Sequence, residues 1–399
     1  MKKLSKWTTC TLGEVANTFS GGTPSRSKPE YFGGTIPWIK SGELNAGWVC
    51  QTSEHITEKA LQSSASKMVQ PGTTLLALYG ATAGVVGRTK IAAAINQAIL
   101  AIEPNRHRIN EDYLQYLLTD LSVRLLRVVQ GAQPNLNAGM VRDSEVDLPP
   151  LPEQRKIADI LSTWDEALAK FDALISAKDH RNQALMQQLL TGRKRFPAFG
   201  KRAWQQMRMN QVLERVFRPI EWNADMPLSL ISIRRRCGGL FRRPEMLGSE
   251  YKTQDLHELK AGDFLVSKRQ VVHGAWAMVT PEFEGGHVSK EYAIFDNLAP
   301  DNLHMPFLAW LAQTPRMIRL ARVASTGVHI EKLIFDPDVF LRESIRIPAD
   351  LAEQRQIAAI LDTADQELTL LRTQRNALDQ QKRGLMQRLL TGRIRVAIN

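Results

Sequence analysis

Basic, amide and hydroxyl side chains crowd the polar loops of this chain. In the first half of the chain the candidates for ligand contact are Lys40, Ser41, Gly42, Tyr79, Gln133, Asn135 and Asn137. In the second half they are Lys268, Arg269, Gln270, His273, Lys290, Thr326 and His329. Arginine and lysine suit guanine edges, asparagine and glutamine suit adenine, and hydroxyls and backbone N–H groups suit phosphate. Each residue alone is equally well explained as a solvated surface residue, so the prediction of nucleic-acid binding rests on the set.

The net charge favours a polyanionic partner. The 399 residues include 52 Lys and Arg against 41 Asp and Glu, a formal charge of +11, and the pI is about 9.6. Arginine clusters at residues 234–236 and 242–243 would add attraction to phosphate that does not depend on sequence. Charge alone is a weak argument, because it also keeps proteins in solution.

Motifs for catalysis and metal binding are missing from the sequence. It has no GxxxxGK[ST] phosphate loop and no Asn-Pro-Pro-aromatic run of a base methyltransferase. Pro337-Asp338 is not followed by the Glu-x-Lys or Asp-x-Lys of a nuclease, and we interpret it as a turn. The eight histidines lack zinc-ligand spacing. We therefore predict no catalytic residue, no metal and no cofactor bound by this chain.

Composition and cysteine usage indicate a cytoplasmic protein. With 43% apolar and 23% charged residues, the chain has the composition of a globular protein, long enough for two or three domains. Cys10, Cys50 and Cys237 show no ligand or disulfide pattern, as expected of a reducing compartment. The first residues resemble no signal peptide, and the most apolar stretch, residues 73–87, is too short to span a membrane.

One stretch of the chain occurs twice, and we expect it to position the loops described above. Residues 151–195 align with residues 351–395 at an offset of 200 without gaps, and 22 of 45 positions are identical. Unrelated segments would share about three. We interpret the repeat as a duplication.

Each copy predicts one long helix. Pro152 suits a first helical turn, Asp350 and Glu353 have capping-box spacing, and Gly192 and Gly392 suit the C-terminal left-handed position. Apolar residues recur at steps of four and three, which is typical of a coiled-coil seam. The seam residues are Ile157, Leu161, Trp164, Leu168, Phe171, Ile175, Leu185 and Leu189, and then Ile357, Leu361, Ala364, Leu368, Leu371, Leu378, Leu385 and Leu389. Polar residues interrupt the seam at Lys178, Asn182, Arg375 and Lys382, where they would fix the register.

The matching seams favour pairing of the two helices with each other. The alternative, two unrelated helices each lying on its own domain, does not explain seams far longer than a typical helix of about 12 residues. Equal copies suggest a pseudo-twofold axis, and an axis that crosses the helices makes them antiparallel. The helices would then form a ruler with one module at each end.

The remaining residues form two modules that share a plan. In residues 1–149, runs at 36–39, 73–79, 84–88 and 99–102 predict strands, residues 110–129 predict a helix, and residues 141–148 predict a strand. Residues 196–347 repeat this order with a helix at 305–323, a loop at 325–329 in the place of 133–137, and a strand at 345–348. We predict four regions, residues 1–149, 150–195, 196–347 and 348–399, with mixed α/β (α+β) modules in tandem around an antiparallel coiled coil.

Several of these segments resemble the specificity subunits of Type I restriction–modification systems. The resemblance lies in LPPLPEQRKI at residues 148–157, LLTGR at 189–193, IPWI and SGEL at 36–44, and GGTP at 21–24. It covers nearly the whole chain. The second copy departs from it at residues 347–351, which lack the Pro-Pro pair, and the second module lacks a clear Trp-Ile-x-Ser-Gly run.

The resemblance implies a non-catalytic subunit with two target-recognition domains, each reading one half of a bipartite, asymmetric site on double-stranded DNA. It also implies that the paired helices set the gap between the half-sites and dock two modification (methyltransferase) subunits. Restriction (motor-nuclease) subunits would join through these, and S-adenosylmethionine would bind to the methyltransferases. The alternatives are a coiled-coil adaptor with nonspecific affinity for polyanions, and a self-contained nuclease or methyltransferase.

Overall fold

The computed structural model describes residues 6–129, 135–200 and 202–397. The chain divides into two compact units, the first comprising Met1–Asp172 with Thr373–Asn399 and the second comprising Ala173–Arg372. Each unit contains one predicted module and a part of both long helices.

The first unit is built on two mixed sheets. In its described residues the strands are β1 (Thr8–Thr11), β2 (Ala16–Ser20), β3 (Phe32–Ile39), β4 (Trp48–Val49), β5 (Glu54–Ile56), β6 (Lys67–Val69), β7 (Thr74–Ala77), β8 (Val86–Thr89), β9 (Ala93–Ile95), β10 (Ile99–Pro104) and β11 (Glu145–Leu148). The short helices are α1 (Leu12–Val15), α2 (Glu58–Gln62), α3 (Glu111–Val128) and α4 (Ala138–Arg142). The strand orders are β2-β10-β7-β8-β4 and β5-β3-β9-β6, and β1 pairs with β11.

Helix α3 packs its apolar face on the larger sheet. The side chain of Asn110 caps it by accepting hydrogen bonds from the backbone N–H groups of Asp112 and Tyr113, at 3.1 and 3.0 Å. Tyr113 and Leu117 are buried in one core with Leu100 of β10. The helix predicted over residues 110–129 is confirmed.

Two long helices, each divided between the two units, flank the second module in the sequence. They are α5 (Leu151–Leu189) and, at the end of the chain, α9 (Leu351–Leu390). Between them, in the described residues, lie the strands β12 (Trp204–Arg208), β13 (Leu213–Val216), β14 (Pro227–Leu228), β15 (Ile231–Ile233), β16 (Leu240–Arg242), β17 (Met246–Leu247), β18 (Leu256–Glu258), β19 (Phe264–Ser267), β20 (Trp276–Met278), β21 (His287–Ser289), β22 (Tyr292–Asn297), β23 (Ser325–Thr326), β24 (Ile334–Phe335) and β25 (Ser344–Pro348). The helices there are α6 (Met305–Ala312), α7 (Pro315–Val323) and α8 (Pro337–Arg342).

The second unit repeats the plan of the first. Its largest sheet has the order β13-β22-β19-β20, which matches the β2-β10-β7-β8 part of the first unit. The β12–β25 ribbon likewise matches β1–β11. The two modules therefore share this part of their topology, as their faint sequence similarity predicts, while the remaining strands pair differently.

Three predicted elements differ from the structure, each because of a local cap or proline. The strand predicted over residues 141–148 begins only at Glu145, since Asn137 caps α4 by accepting from the N–H of Met140 at 2.9 Å. The single helix predicted over residues 305–323 is two helices, α6 and α7, since Pro315 cannot continue the first. The turn predicted at Pro337 is the start of α8, which Asp336 caps.

In each unit the start of one long helix packs against the end of the other. In the first unit Ile157 and Leu161 share a buried core with Leu389. In the second unit Ile357 and Leu361 share a core with Leu189. The paired segments are therefore antiparallel, as predicted. The predicted seam residues are all buried or half-buried.

The polar residues that interrupt the seam all reach across to the opposite helix. In the first unit Arg375 pairs with Asp172 at 2.9 Å, and Lys382 pairs with Asp165. In the second unit Lys178 pairs with Glu367, and the side-chain amide of Asn182 donates to the carbonyl oxygen of Ala364 at 2.8 Å. These specific contacts fix the register of the two helices.

A glutamate at the start of each long helix receives an arginine from the end of the other. Glu153 accepts two hydrogen bonds of 2.8 Å from Arg395 in the first unit. Glu353 accepts hydrogen bonds of 2.9 and 2.7 Å from Arg195 in the second. The predicted capping box at Asp350 is only half formed: Asp350 caps the N–H of Ala352, but the Glu353 side chain is buried in the ion pair.

The next residue in each copy, a glutamine, ties the module to the helix. The side chain of Gln154 accepts from the N–H of Asn110 at 2.8 Å and donates to the carbonyl oxygens of Arg108 and Pro149. Gln354 makes the corresponding three bonds in the second unit, accepting from the N–H of His304 at 2.9 Å. Both glutamines are buried, so each module is anchored to the first turn of the helix that follows it.

Candidate nucleic-acid interface

Four loops of the first unit are joined by backbone hydrogen bonds into one surface. The N–H of Leu78 donates to Ala98 at 2.8 Å, and the N–H of Leu136 donates to Leu78 at 2.6 Å. The N–H of Asn96 donates to Ile39 at 3.1 Å, which brings in the loop that begins at Lys40. Of the predicted contact residues, Lys40, Tyr79 and Asn135 thus lie on neighbouring loops.

The predicted contact residues in this surface differ in their exposure and in the hydrogen bonds that their side chains already make. Asn135 is exposed, and its side-chain oxygen accepts from the N–H of Gly80 at 3.3 Å. Tyr79 is half-buried, and burial raises the pKa of its hydroxyl. Asn137 caps α4, which leaves its amide nitrogen for a ligand. Gln133 lies outside the described residues.

Lys40 is already paired with a carboxylate. Its Nζ lies 2.7 Å from Glu54, which also receives Arg26 at 2.8 Å. Hydrogen bonds from Arg26 and then Lys40 hold the pKa of Glu54 below its usual value. Ser41 opens a 3₁₀ turn, Ser41–Ala46, and Gly42 in that turn is exposed with open space around it. Sequence reasoning missed Arg26, which lies in a turn, and Glu54, the first residue of β5.

The second unit builds the same framework with different side chains. The backbone N–H of Lys268 donates to the carbonyl oxygen of Glu291, and the backbone N–H of Phe335 donates to the carbonyl oxygen of Lys268, both at 2.9 Å. Lys268 therefore occupies the position of Leu78, and Phe335 that of Leu136. Burial lowers the pKa of Lys268, whose Nζ donates to the carbonyl oxygen of Lys290 at 2.6 Å.

Other predicted residues of the second unit gather around this point. Arg269 pairs with Glu291 at 2.5 Å, and Lys290 is exposed, 3.7 Å from Asp255. Gln270 precedes a 3₁₀ turn, Val271–His273, that ends at His273. The side-chain oxygen of Gln270 and Nε2 of His273 are both buried without a hydrogen bond in the described structure. Neither atom is accessible to a ligand in this conformation.

The loop that ends at Phe335 is longer than its counterpart. Thr326 lies exposed in β23, opposite Ile334, and His329 is exposed at the start of a 3₁₀ turn. The helix cap that Asn137 provides in the first unit is provided here by Asp336. Residues 325–329 thus lie in the loop between the helix and this position, as predicted, while Asp336 rather than His329 corresponds to Asn137.

A network that sequence reasoning missed joins this loop to an arginine-rich turn. Glu331 lies 3.0 Å from Nη2 of Arg235 and 3.2 Å from Nε2 of His273. In the sequence this turn is marked only by its three consecutive arginines. From them we predicted attraction to phosphate that does not depend on DNA sequence. The carboxylate comes from a residue 96 positions away.

The described residues offer neither a metal site nor a membrane-spanning helix. Within the described ranges, His, Cys, Asp and Glu nowhere form a group of three that could hold a metal ion. None of the helices in those ranges is long and apolar enough to cross a membrane.

Comparisons with known proteins give a consistent family. Residues 4–176 match the profile of the Type I restriction modification DNA specificity domain. A Type I restriction enzyme specificity subunit of Escherichia coli is 26% identical over 39% of this chain, and the MjaIX specificity subunit of Methanocaldococcus jannaschii is 33% identical over 44%. The matched region spans only 40% and 39% of these two relatives. The MjaVIII specificity subunit of the same archaeon is 21% identical over 98% of this chain and 93% of its own length.

Solved structures share the fold over the whole chain. A chain from a type I R-M system matches with a TM-score of 0.63 and 16% identity, covering 98% of this chain and 99% of its own. The S subunit of a Type-I restriction-modification system from M. genitalium matches with a TM-score of 0.57 and 13% identity, covering 98% and 97%. The first module thus matches the Type I restriction modification DNA specificity domain, and the whole chain is similar in sequence and fold to Type I restriction–modification specificity subunits.

Proposed function

We propose that this chain reads a bipartite DNA site, one half with each module, as the specificity subunit of a Type I restriction–modification complex. The observation that carries the proposal is the shared loop framework. The backbone bonds that place Leu136 on Leu78 recur between Phe335 and Lys268, yet the side chains around them differ. A constant framework with diverged side chains is what two modules that read different sequences require.

The chemistry of the loops supports DNA as the ligand. Basic and amide side chains reach base edges and phosphates, and the chain carries a net charge of +11. Each good base contact would contribute about 1–3 kcal/mol of discrimination. Because both modules belong to one chain, binding of the second half-site is intramolecular once the first is bound.

We further propose that the chain itself makes and breaks no bond. The sequence lacks the motifs of a methyltransferase or a nuclease, which the family assigns to other subunits. Two methyltransferase subunits would dock on the long helices, away from the buried seam, and would bind S-adenosylmethionine. Restriction subunits would join the complex through them.

The test is selection of DNA by the full chain together with its methyltransferase subunit. A library of randomised duplexes is selected at about 50 and 200 mM salt, since phosphate contacts weaken steeply over this range. We expect two short sequence blocks at a fixed spacing that persist at the higher salt. Binding that is lost at high salt and recovers no sequence would contradict the proposal and favour a basic adaptor.

A further inference from the structure

The β15–β16 hairpin of the second unit ends in a strained turn that carries three consecutive arginines. Arg236 and Cys237 have φ angles of 58° and 53°, and no other non-glycine residue in the described part of the chain has a positive φ. Such angles are uncommon outside glycine and persist only where the surroundings enforce them. The next two residues, 238 and 239, are glycines, which adopt such angles easily. The positive φ angles nevertheless occur at Arg236 and Cys237.

Backbone hydrogen bonds dock this turn on the predicted contact loop. The N–H of Arg236 donates to the carbonyl oxygen of His273 at 2.7 Å, and the N–H of Cys237 donates to Gly274 at 2.8 Å. The strained backbone therefore belongs to the same surface as Arg269 and His273.

Two of the three arginines are held by the protein itself. Arg234 donates to the carbonyl oxygen of Leu240 at 2.9 Å and lies over the ring of Phe241. Arg235 is held by Glu331, whose other oxygen lies beside His273. Arg236 is exposed, and its guanidinium makes no hydrogen bond or ion pair within the described ranges. The turn thus presents one free guanidinium from a fixed backbone.

We propose that Arg236 reads a guanine in the half-site bound by the second module, and that Glu331 positions it through Arg235. The inference rests on the proposed function. Guanine offers two acceptors, N7 and O6, to the major groove, and the planar guanidinium can bond both. A contact to phosphate alone would carry no sequence information.

The test repeats the duplex selection with variants of the full chain in its complex. Arg236→Lys keeps the charge but loses the planar fork. Arg236→Gly removes the side chain and suits the positive φ, so it keeps the fold. Glu331→Gln removes the carboxylate charge that holds Arg235. Arg346→Lys is the matched control, since Arg346 is exposed on β25, the strand that leads into α9.

We expect both Arg236 variants to lose a guanine preference of about tenfold at one position of one block, with the other block unchanged. Glu331→Gln should weaken the guanine preference at the same position. The thermal unfolding midpoint of the complex should stay close to the wild-type value. Equal weakening of all sequences by Arg236→Lys, or an unchanged guanine preference, would overturn the inference while leaving the proposed function intact. A wild-type complex that selects no sequence would overturn both.

Discussion

Glu153 and Arg395 lie 242 positions apart and form two hydrogen bonds of 2.8 Å, with the carboxylate fully buried. Trp7 and the backbone N–H of Val396 also donate to this carboxylate, at 3.3 Å each. The pair joins the start of α5 to the end of α9 within the first unit. Glu353 and Arg195 repeat the relationship in the second unit, so each unit is closed by the same charge pair.

Replacing Glu153 by glutamine should destabilise the first unit strongly. The substitution removes the buried charge that compensates the half-buried Arg395, and breaking a fully buried ion pair costs about 3–5 kcal/mol, which is the upper bound here. Glu353→Gln should have a similar effect on the second unit. Urea unfolding would measure both losses, with Glu166→Gln, at an exposed position of α5, as the control that changes stability by less than about 0.5 kcal/mol. Equal stability of Glu153→Gln and the control would contradict this role.

The stability that Glu153 provides should depend on pH. Burial disfavours its ionised form, but hydrogen bonds from Arg395, Val396 and Trp7 outweigh burial and hold the pKa of Glu153 below its usual value. A carboxyl whose pKa is lower in the folded state stabilises the fold above its unfolded pKa, and this contribution is lost as the pH falls through the folded pKa. The difference in unfolding free energy between wild type and Glu153→Gln should therefore be full at pH 7 and shrink below about pH 4. A difference that is constant across this range would show that the charge is not responsible.

Two glycines of the α9 copy should respond to alanine with opposite signs. Gly384 lies inside α9 with open space around its Cα, so Gly384→Ala should stabilise the chain by about 0.5–1 kcal/mol. Gly392 has a φ of 68° just beyond the helix, so Gly392→Ala should destabilise it by about 1 kcal/mol. Thermal unfolding of the two variants side by side is the measurement. A stability change of the same sign in both variants would contradict the left-handed cap at Gly392.

Insertion of one heptad at equivalent positions of both long helices should change the DNA spacing that the complex accepts. A heptad preserves the seam, and seven residues of helix add about 10 Å to its length. Duplex selection with the inserted variant should recover the same two sequence blocks with a different gap. Recovery of the original gap would exclude the helices as the ruler between the modules.

The sequence by itself determined the organisation of this protein. The 200-residue offset, the steps of four and three in the seam, and the glycines at the helix ends are local or periodic signals, and they predicted α5, α9 and their antiparallel pairing. The repeated plan of the modules was also predicted, although proline and cap residues divided or displaced individual elements. Helices and strands depend on patterns that span a few residues, so they can be predicted without knowledge of the tertiary structure.

Only the tertiary structure decided which side chains meet. Glu153 with Arg395, and Arg235 with Glu331, are pairs at separations of 242 and 96 residues. No periodicity relates such residues, because their contact depends on how the strands and helices pack. The positive φ of Arg236 has the same origin: the docking of its turn on His273 and Gly274 imposes a conformation that an arginine does not favour by itself.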